Sequence, residues 1–369
     1  MNAHWLEKLT IRGFKSIKQL DDFELRPLNV LIGANGAGKS NFVEVFRLLR
    51  AIVEQRLQEY ANRNGPSDGY FFNGVKHTRR IEVELHFGRN RYAFRLEPTA
   101  ERGLLIAQEL TQYTGVKYSK LIAQGTIESR LKDLRDEPGR WGSVGPNWHV
   151  WSAVTSWRVY HFHDTSMTAG MRRDGGIEQT EQLDSSGDNL APFLLGLRNE
   201  HPGVYDAIRK TTQRIAPYFD DFLPKIRKGK KEDQVRLTWK QKGTDYIFSP
   251  GYLSDGTIRF LCLTTALLQP TPPSMIVIDE PELGLHPEAL SILAGLLKSA
   301  SERMQIIVAT QSPALLSEFD PKDVITVDQV DGATQLARLD RKRLRSWLKD
   351  FSLGELWMKG TVRGGVNDA

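Results

Sequence analysis

Residues 28–57, "LNVLIGANGAGKSNFVEVFRLLRAIVEQRL", constrain the fold more than any other stretch. An apolar strand runs into a glycine-rich loop, and an amphipathic helix follows. The loop, Gly33 to Ser40, fits the pattern G-x-x-x-x-G-K-[ST]. Glycines let successive backbone N–H groups turn inward and surround phosphate oxygens, and the start of the helix adds its own unpaired donors. Asn35, Gly36, Ala37, Gly38, Lys39, Ser40 and Asn41 are therefore assigned to nucleotide binding. Lys39 supplies a cation to the phosphates, and the Ser40 hydroxyl is a ligand for Mg²⁺. A strand before and a helix after give the motif its specificity and predict an α/β fold.

A second apolar strand, in "SMIVIDEPELGLHP", ends at Asp279-Glu280. A carboxylate at the tip of a buried strand can hold Mg²⁺, and its neighbour can polarise an attacking water. Asp279 is assigned to the metal and Glu280 to catalysis. Lys39 and Asp279 are 240 residues apart (279 − 39), so a large insertion must split the nucleotide core. Ser254 precedes Asp279 by only 25 residues (279 − 254), room for one helix, the "QPTPP" break and one strand. That helix opens on "LSDGT", where Ser254-Asp255-Gly256 reads either as a plain N-cap or as an anion site at a helix start. A third apolar strand, "MQIIVATQSPALL", ends at Thr310-Gln311-Ser312.

This order resembles the ABC ATPase head: P-loop, inserted lobe, signature, Walker B strand and switch strand. The opening "LTIRGFKS" narrows the resemblance to SMC/RecF-type ATPases, with specific motifs at about 1–50 and 250–315. The resemblance implies ATP and Mg²⁺ as cofactors. It also implies a head-to-head homodimer or higher oligomer, in which Ser254, Asp255 and Gly256 meet the nucleotide held by the opposite subunit. Asp255 stands where the family has a second glycine, so its carboxylate is expected to point away from phosphate or to pair with a cation. Lys15 and Ser16 would lie near the nucleotide; the plainer reading of Lys15 is a solvated strand end. Gln311 replaces the usual switch histidine. An amide cannot shuttle a proton, so hydrolysis is expected to be slow.

Further landmarks resemble a smaller branch, compact bacterial AAA-family predicted ATPases related to RecF and the OLD proteins, several of which act in phage defence. "WRVYHFHDTS", 157–166, looks like that branch's Q-loop equivalent, and the tail "SLGELWMKGTVRGG", 352–365, also looks like it. The likeness would put His163 near Mg²⁺ or the attacking water, as a further metal or catalytic residue. The bland alternative is that His161 and His163 are ordinary hydrogen-bonded histidines at a strand end.

No long a/d heptad series is present, so an extended coiled coil is not expected. The nucleotide lobe is expected at 1–98 and 250–330, with an antiparallel sheet around "RIEVELHFGRNRYAFRLEP" lying against the P-loop sheet. A mostly helical inserted lobe is expected at 99–249 and a strand/helix extension at 331–369. Residues 135–157, rich in Gly, Pro and Trp, read as an irregular surface loop. "KIRKGKK", 225–231, reads as a hairpin tip that is either merely solvated or a contact for nucleic-acid phosphates. "RKRLR", 341–345, reads as the polar face of a C-terminal helix.

Composition closes off some classes. A 40% hydrophobic, 26% charged chain is globular, and no apolar run is long enough to cross a bilayer. The single cysteine, Cys262, cannot form an internal disulfide and reads as a buried small hydrophobe. Without a signal-peptide core at the N-terminus, a cytoplasmic location is expected. A net charge of +5 permits nucleic-acid binding without demanding it. The leading expectation is an ATP-driven sensor or scaffold in an anti-phage defence assembly, with a protein effector encoded nearby. The alternative is a RecF-like ATPase acting on DNA in repair or recombination. "IRGFKS" and the long split disfavour a transporter subunit, and no membrane partner is expected.

Overall fold

The computed structural model describes residues 5–362, apart from 64, 66, 102, 115–117, 138–143 and 230–231. Two six-stranded sheets carry the architecture. The first is antiparallel throughout, in the order β2 (Ile17–Glu24), β1 (Lys8–Phe14), β4 (Ile81–Phe87), β5 (Asn90–Pro98), β6 (Leu104–Tyr113), β7 (Tyr118–Ala123). Its alternation is plain in β4, where Ile81, Val83, Leu85 and Phe87 are buried and the residues between them half-buried. One face meets the core and the other meets solvent, as expected of an antiparallel sheet.

The second sheet has the order β18 (Ala333–Arg338), β17 (Val324–Val330), β3 (Leu28–Ile32), β16 (Gln305–Thr310), β15 (Met275–Asp279), β8 (Arg158–Tyr160). All neighbours are parallel except the β17–β18 pair. β3, β15 and β16 are buried at every residue, because both faces of this sheet are covered. On one face, Leu31, Val277 and Ile307 join the first sheet and α1 (Lys39–Val53) in a core. On the other, Val30, Ile278 and Val308 pack with α4 (Leu190–Glu200), α5 (Pro202–Ile215), α6 (Asp255–Leu268) and α7 (Pro287–Ala300). The short α8 (Pro313–Leu316) and α9 (Leu353–Met358) complete that second core. α1 lies between layers, which explains why eleven of its fifteen residues are buried.

The inserted region carries α4 and α5 with two three-stranded sheets. One is β10 (Phe219–Phe222), β13 (Trp239–Gln241) and β14 (Ile247–Phe248); the other is β11 (Lys225–Arg227), β12 (Gln234–Arg236) and β9 (Gly175–Gly176). Several expectations move. The boundary near 98 shifts, because β6 and β7 extend the first sheet to Ala123, and α2 (Leu57–Arg63) packs against β6. The boundary at 330 falls within the β17–β18 hairpin, whose second strand belongs to the nucleotide sheet.

Residues 135–157 are not wholly irregular. Pro146–Ser156 form α3, with Pro146 in its first turn and Val150, Ala153 and Val154 buried. Trp157 follows, fully buried, with its ring 5.5 Å from Phe46 on α1. The apolar spacing 150, 153, 154, 157 is helical, and it outweighs the loop-like Gly and Pro upstream. "RKRLR" forms consecutive turns rather than a helix, with only Leu344 buried. "KIRKGKK" does enter the β11–β12 hairpin, although Lys230 and Lys231 lie outside the described residues.

Candidate nucleotide site

Four neighbouring parallel strands deliver the assigned residues to one end of the sheet. β3 ends at Ile32 and leads into the glycine loop; β16 ends at Thr310 beside Ile32; β15 ends at Asp279 beside Ala309; and β8 ends at Tyr160 beside Ile278. Binding sites in open parallel sheets form at this carboxyl edge.

The loop is shaped for an anion. Gly38, the residue before α1, has φ of +108° and gives no side-chain cap, which leaves the helix's first N–H groups for another acceptor. A Cβ on Gly38 would stand 1.9 Å from Thr334 Oγ1 and 2.9 Å from Ser16 Oγ. A small network braces the loop from beneath. Thr334 Oγ1 donates to the Ala37 carbonyl at 2.9 Å and lies 2.7 Å from Ser16 Oγ, while Asn41 Nδ2 donates to Ser16 Oγ at 2.6 Å. Ser16 and Asn41 are thus brought together with the loop. Lys15, with φ of +48°, sets its ammonium 5.8 Å from both the Phe14 and Tyr70 ring centres. Burial lowers its pKa, partly offset by Glu44.

Lys39 is 5% exposed, and its Nζ donates to the Gly33 and Ala34 carbonyls at 2.7 and 3.0 Å. Burial lowers its pKa, while Glu280, Asp279 and Glu282 pull the other way. Asp279 is buried too; burial and the neighbouring Glu280 raise its pKa, and the Ser40 hydroxyl hydrogen-bonds to it. Its Oδ1 has no hydrogen-bond partner. An orphaned buried carboxylate oxygen beside a serine hydroxyl is a donor set that fits a small hard cation, so Ser40 and Asp279 suit Mg²⁺. Among the described residues, no group of three or more His, Cys, Asp or Glu side chains could hold a metal ion by itself.

Glu280 has φ of +48°, a conformation that side-chain-bearing residues adopt at a cost and that clusters at functional sites. Its N–H donates to the Ala309 carbonyl at 2.8 Å, and Gln311 Nε2 donates to its carboxylate. The Gln311 backbone N–H donates to Glu282 Oε1 at 2.8 Å. His163 also arrives here, with Nε2 3.1 Å from the Asp279 carbonyl oxygen. His161 goes elsewhere: it lines a groove with Arg47 and Arg50, and burial followed by Arg47 lowers its pKa. The two histidines follow β8 rather than lying on it, so they do not share a face.

Ser254 is the N-cap of α6 and accepts from the Thr257 N–H at 3.1 Å. Asp255 has found a cation: Arg172 Nη2 donates to its Oδ1 at 2.8 Å. Gly256 permits a close approach, since a Cβ there would meet the Gly284 carbonyl at 2.4 Å. Arg259, one turn along α6, donates to the carbonyls of Phe162 (2.7 Å), His163 (3.0 Å) and Leu283. It therefore ties α6 to both loops that flank Asp279. Sequence reasoning missed Arg172, Arg259, Glu282 and Thr334. Only Glu282, in the acidic "DEPE" run, carried a local signal; the others act through contacts across many residues.

A family described as "AAA domain, putative AbiEii toxin, Type IV TA system" matches residues 28–145 and 177–317, more than half of the chain. The "Old nuclease" of Escherichia phage P2 is 22% identical over 407 residues, covering 94% of this chain but 63% of the nuclease. An Smc head bound to the C-terminal winged-helix domain of ScpA superposes with a TM-score of 0.56 at 15% identity, over 93% of this chain and 99% of that one. An Smc head with an extended coiled coil, bound to the ScpA C-terminal domain derived from Pyrococcus furiosus, gives 0.52 at 16% identity, over 94% and 99%. These two show a shared fold. The chain belongs to this AAA-domain family, shares the fold of the Smc heads and is similar to the Old nuclease.

Proposed function

We propose that the protein binds and slowly hydrolyses ATP between two heads, and that this cycle holds and releases a partner effector in an anti-phage defence assembly. The observation that carries the reading is the convergence of Lys39, Ser40, Asp279, Glu280 and Gln311 at the carboxyl ends of β3, β15 and β16. Lys39 and the amides of Asn35 to Ser40 bind phosphates, and Asn41 and Ser16 hold the loop in shape. Ser40 and Asp279 hold Mg²⁺, which when bound neutralises phosphate charge. Glu280 orients and polarises the attacking water. Gln311 fixes the Glu280 carboxylate, and His163 sits behind Asp279 as a positioning group.

Ser254 and Gly256 are assigned to the nucleotide of the opposite head, with Asp255 kept from its phosphate by Arg172. Arg259 links that surface to the His163 and Leu283 loops, so closure of the dimer is felt at the water-activating residue. The defence reading is supported by the family description and by the OLD relative. The alternative, a RecF-like ATPase acting on DNA in repair, uses the same site.

Glu280→Gln tests the catalytic reading. It preserves shape but removes charge, so ATP binding should persist while turnover falls roughly 10²–10⁴-fold. Lys39→Ala should instead lose nucleotide binding. Loss of binding in Glu280→Gln, with turnover per bound ATP intact, would overturn the assignment. Co-purification with proteins encoded nearby, with and without ATP, separates the two biological readings: a nuclease or toxin favours defence, a recombination protein favours repair.

A further inference from the structure

The glycine loop rests on the β17–β18 hairpin. That hairpin turns on Asp331 and Gly332, whose φ values of +49° and +76° suit a tight two-residue turn, and Val330 pairs with Ala333 across it. The turn fixes the register, so Thr334 stands opposite Gln329, only 2% exposed. The Thr334 N–H donates to the Ser16 carbonyl at 2.7 Å, which ties β18 to the turn between β1 and β2. Val327, on the other strand of the hairpin, closes on the loop's first glycine: a Cβ on Gly33 would run into the Val327 carbonyl.

The protons beneath the loop can be ordered. A hydroxyl has one proton to give. Thr334 Oγ1 gives its proton to the Ala37 carbonyl, which can only accept. The 2.7 Å contact between Ser16 Oγ and Thr334 Oγ1 must then carry the Ser16 proton. With that proton committed, Ser16 Oγ can only accept from Asn41 at 2.6 Å, so the Asn41 amide must present its nitrogen. One chain results, from the Asn41 N–H through the Ser16 and Thr334 hydroxyls to the Ala37 carbonyl. Its end sets the loop. The Ala37 C=O and the Gly38 N–H belong to one planar trans peptide and point in opposite directions. Thr334 holds the carbonyl on the hairpin side, which turns the Gly38 N–H toward the hollow of the loop. That N–H makes no hydrogen bond among the described residues.

We propose that Thr334 is a positioning residue for phosphate binding: its hydroxyl, ordered by Asn41 and Ser16, fixes the Ala37–Gly38 peptide so that an N–H rather than a carbonyl oxygen faces the anion. The inference rests on the reading of the loop as an ATP site. Without the hydroxyl the peptide is free to turn over, which exchanges a donor for a repelling oxygen. Gly38, with no Cβ and φ of +108°, resists that rotation less than any other residue would. Ser16 acts here through Thr334 rather than on the nucleotide.

Titration of the full chain with a fluorescent ATP analogue, then competition with unlabelled ATP and with inorganic pyrophosphate, tests the role. Thr334→Val keeps the shape and loses the hydroxyl. It should weaken ATP and pyrophosphate by the same factor, about tenfold or more, and leave kcat at saturating ATP within about twofold. Thr334→Ser should bind like the parent. Thr334→Ala and Thr334→Ser both lack the methyl and differ only in the hydroxyl, so that pair decides the question even if valine prevents folding. Ser16→Ala should weaken binding, and the double variant Ser16→Ala/Thr334→Val should bind no more weakly than Thr334→Val alone, because both act through one peptide. Four results would each overturn the inference: parental affinity without the hydroxyl, a loss that serine does not restore, a loss seen with ATP but not with pyrophosphate, or additive losses in the double variant. A parent that binds no nucleotide removes the ATP site and this inference together, whereas a binding parent with an unaffected valine variant removes this inference alone.

Discussion

Removing the Arg172 side chain should destabilise the protein far more than removing the partner that gives it an obvious salt bridge. The Arg172 side chain is 3% exposed, while that of Asp255 is 68% exposed. A pair with one member so open to water is worth at most about 1 kcal/mol. Most of the guanidinium's worth lies elsewhere: it donates to the carbonyls of Thr165 at 2.8 Å, Pro250 at 2.6 Å and Leu253 at 3.0 Å. Each hydrogen bond from a charged donor contributes about 1.5–3 kcal/mol, and deletion leaves three carbonyls in a site from which water is largely excluded. Because contributions that share one side chain do not add, Arg172→Ala should cost about 3–5 kcal/mol. Asp255→Ala should cost about 1 kcal/mol or less. Arg172→Lys should fall between them, since an ammonium cannot reproduce the planar fork that reaches three carbonyls and a carboxylate. Urea denaturation followed by tryptophan fluorescence reads all three. Equal losses for Arg172→Ala and Asp255→Ala would refute the argument, by placing the energy in the ion pair.

Three further outcomes follow from the site. Ser254→Arg should abolish hydrolysis while leaving ATP binding by single heads intact; mixing it with Lys39→Ala should restore part of the turnover, and full activity of Ser254→Arg alone would sink the assignment across the dimer. The raised pKa of Asp279, caused by burial and then by Glu280, makes the folded state favour its protonated form, so its contribution to stability is complete below the ordinary carboxylate value and is lost as pH rises through the raised one. Asp279→Asn should therefore gain stability relative to the parent over that interval and hold the gain above it; denaturation midpoints that stay a constant distance apart at every pH would contradict this. Gln311→His places a titrating ring against Glu280, so turnover should acquire a pH dependence near about 6.5, and superimposable pH profiles for the two proteins would count against contact between residue 311 and the reacting groups.

The sequence by itself determined the chemistry that is local. The glycine loop, its lysine and serine, and the Asp-Glu step are each read from fewer than a dozen consecutive residues, because backbone curvature and strand termination are short-range properties. Their order along the chain also fixed the mixed α/β class and the split nucleotide core. Residues 146–157 were misread because Gly and Pro upstream hid an apolar spacing that only α1 and β5 make meaningful. Thr334 beneath Ala37 and Gly38, Arg172 against Asp255, and Arg259 across the His163 and Leu283 loops had no signal in the sequence. Each satisfies polar groups left over by a segment between about 20 and 300 residues away along the chain, and such a debt exists only after the strands have been placed side by side. A basic groove belongs to the same class. "RKRLR" announces charge, but only the folded chain sets Arg341, Lys342 and Arg345 beside Arg26, Lys322 and Arg338.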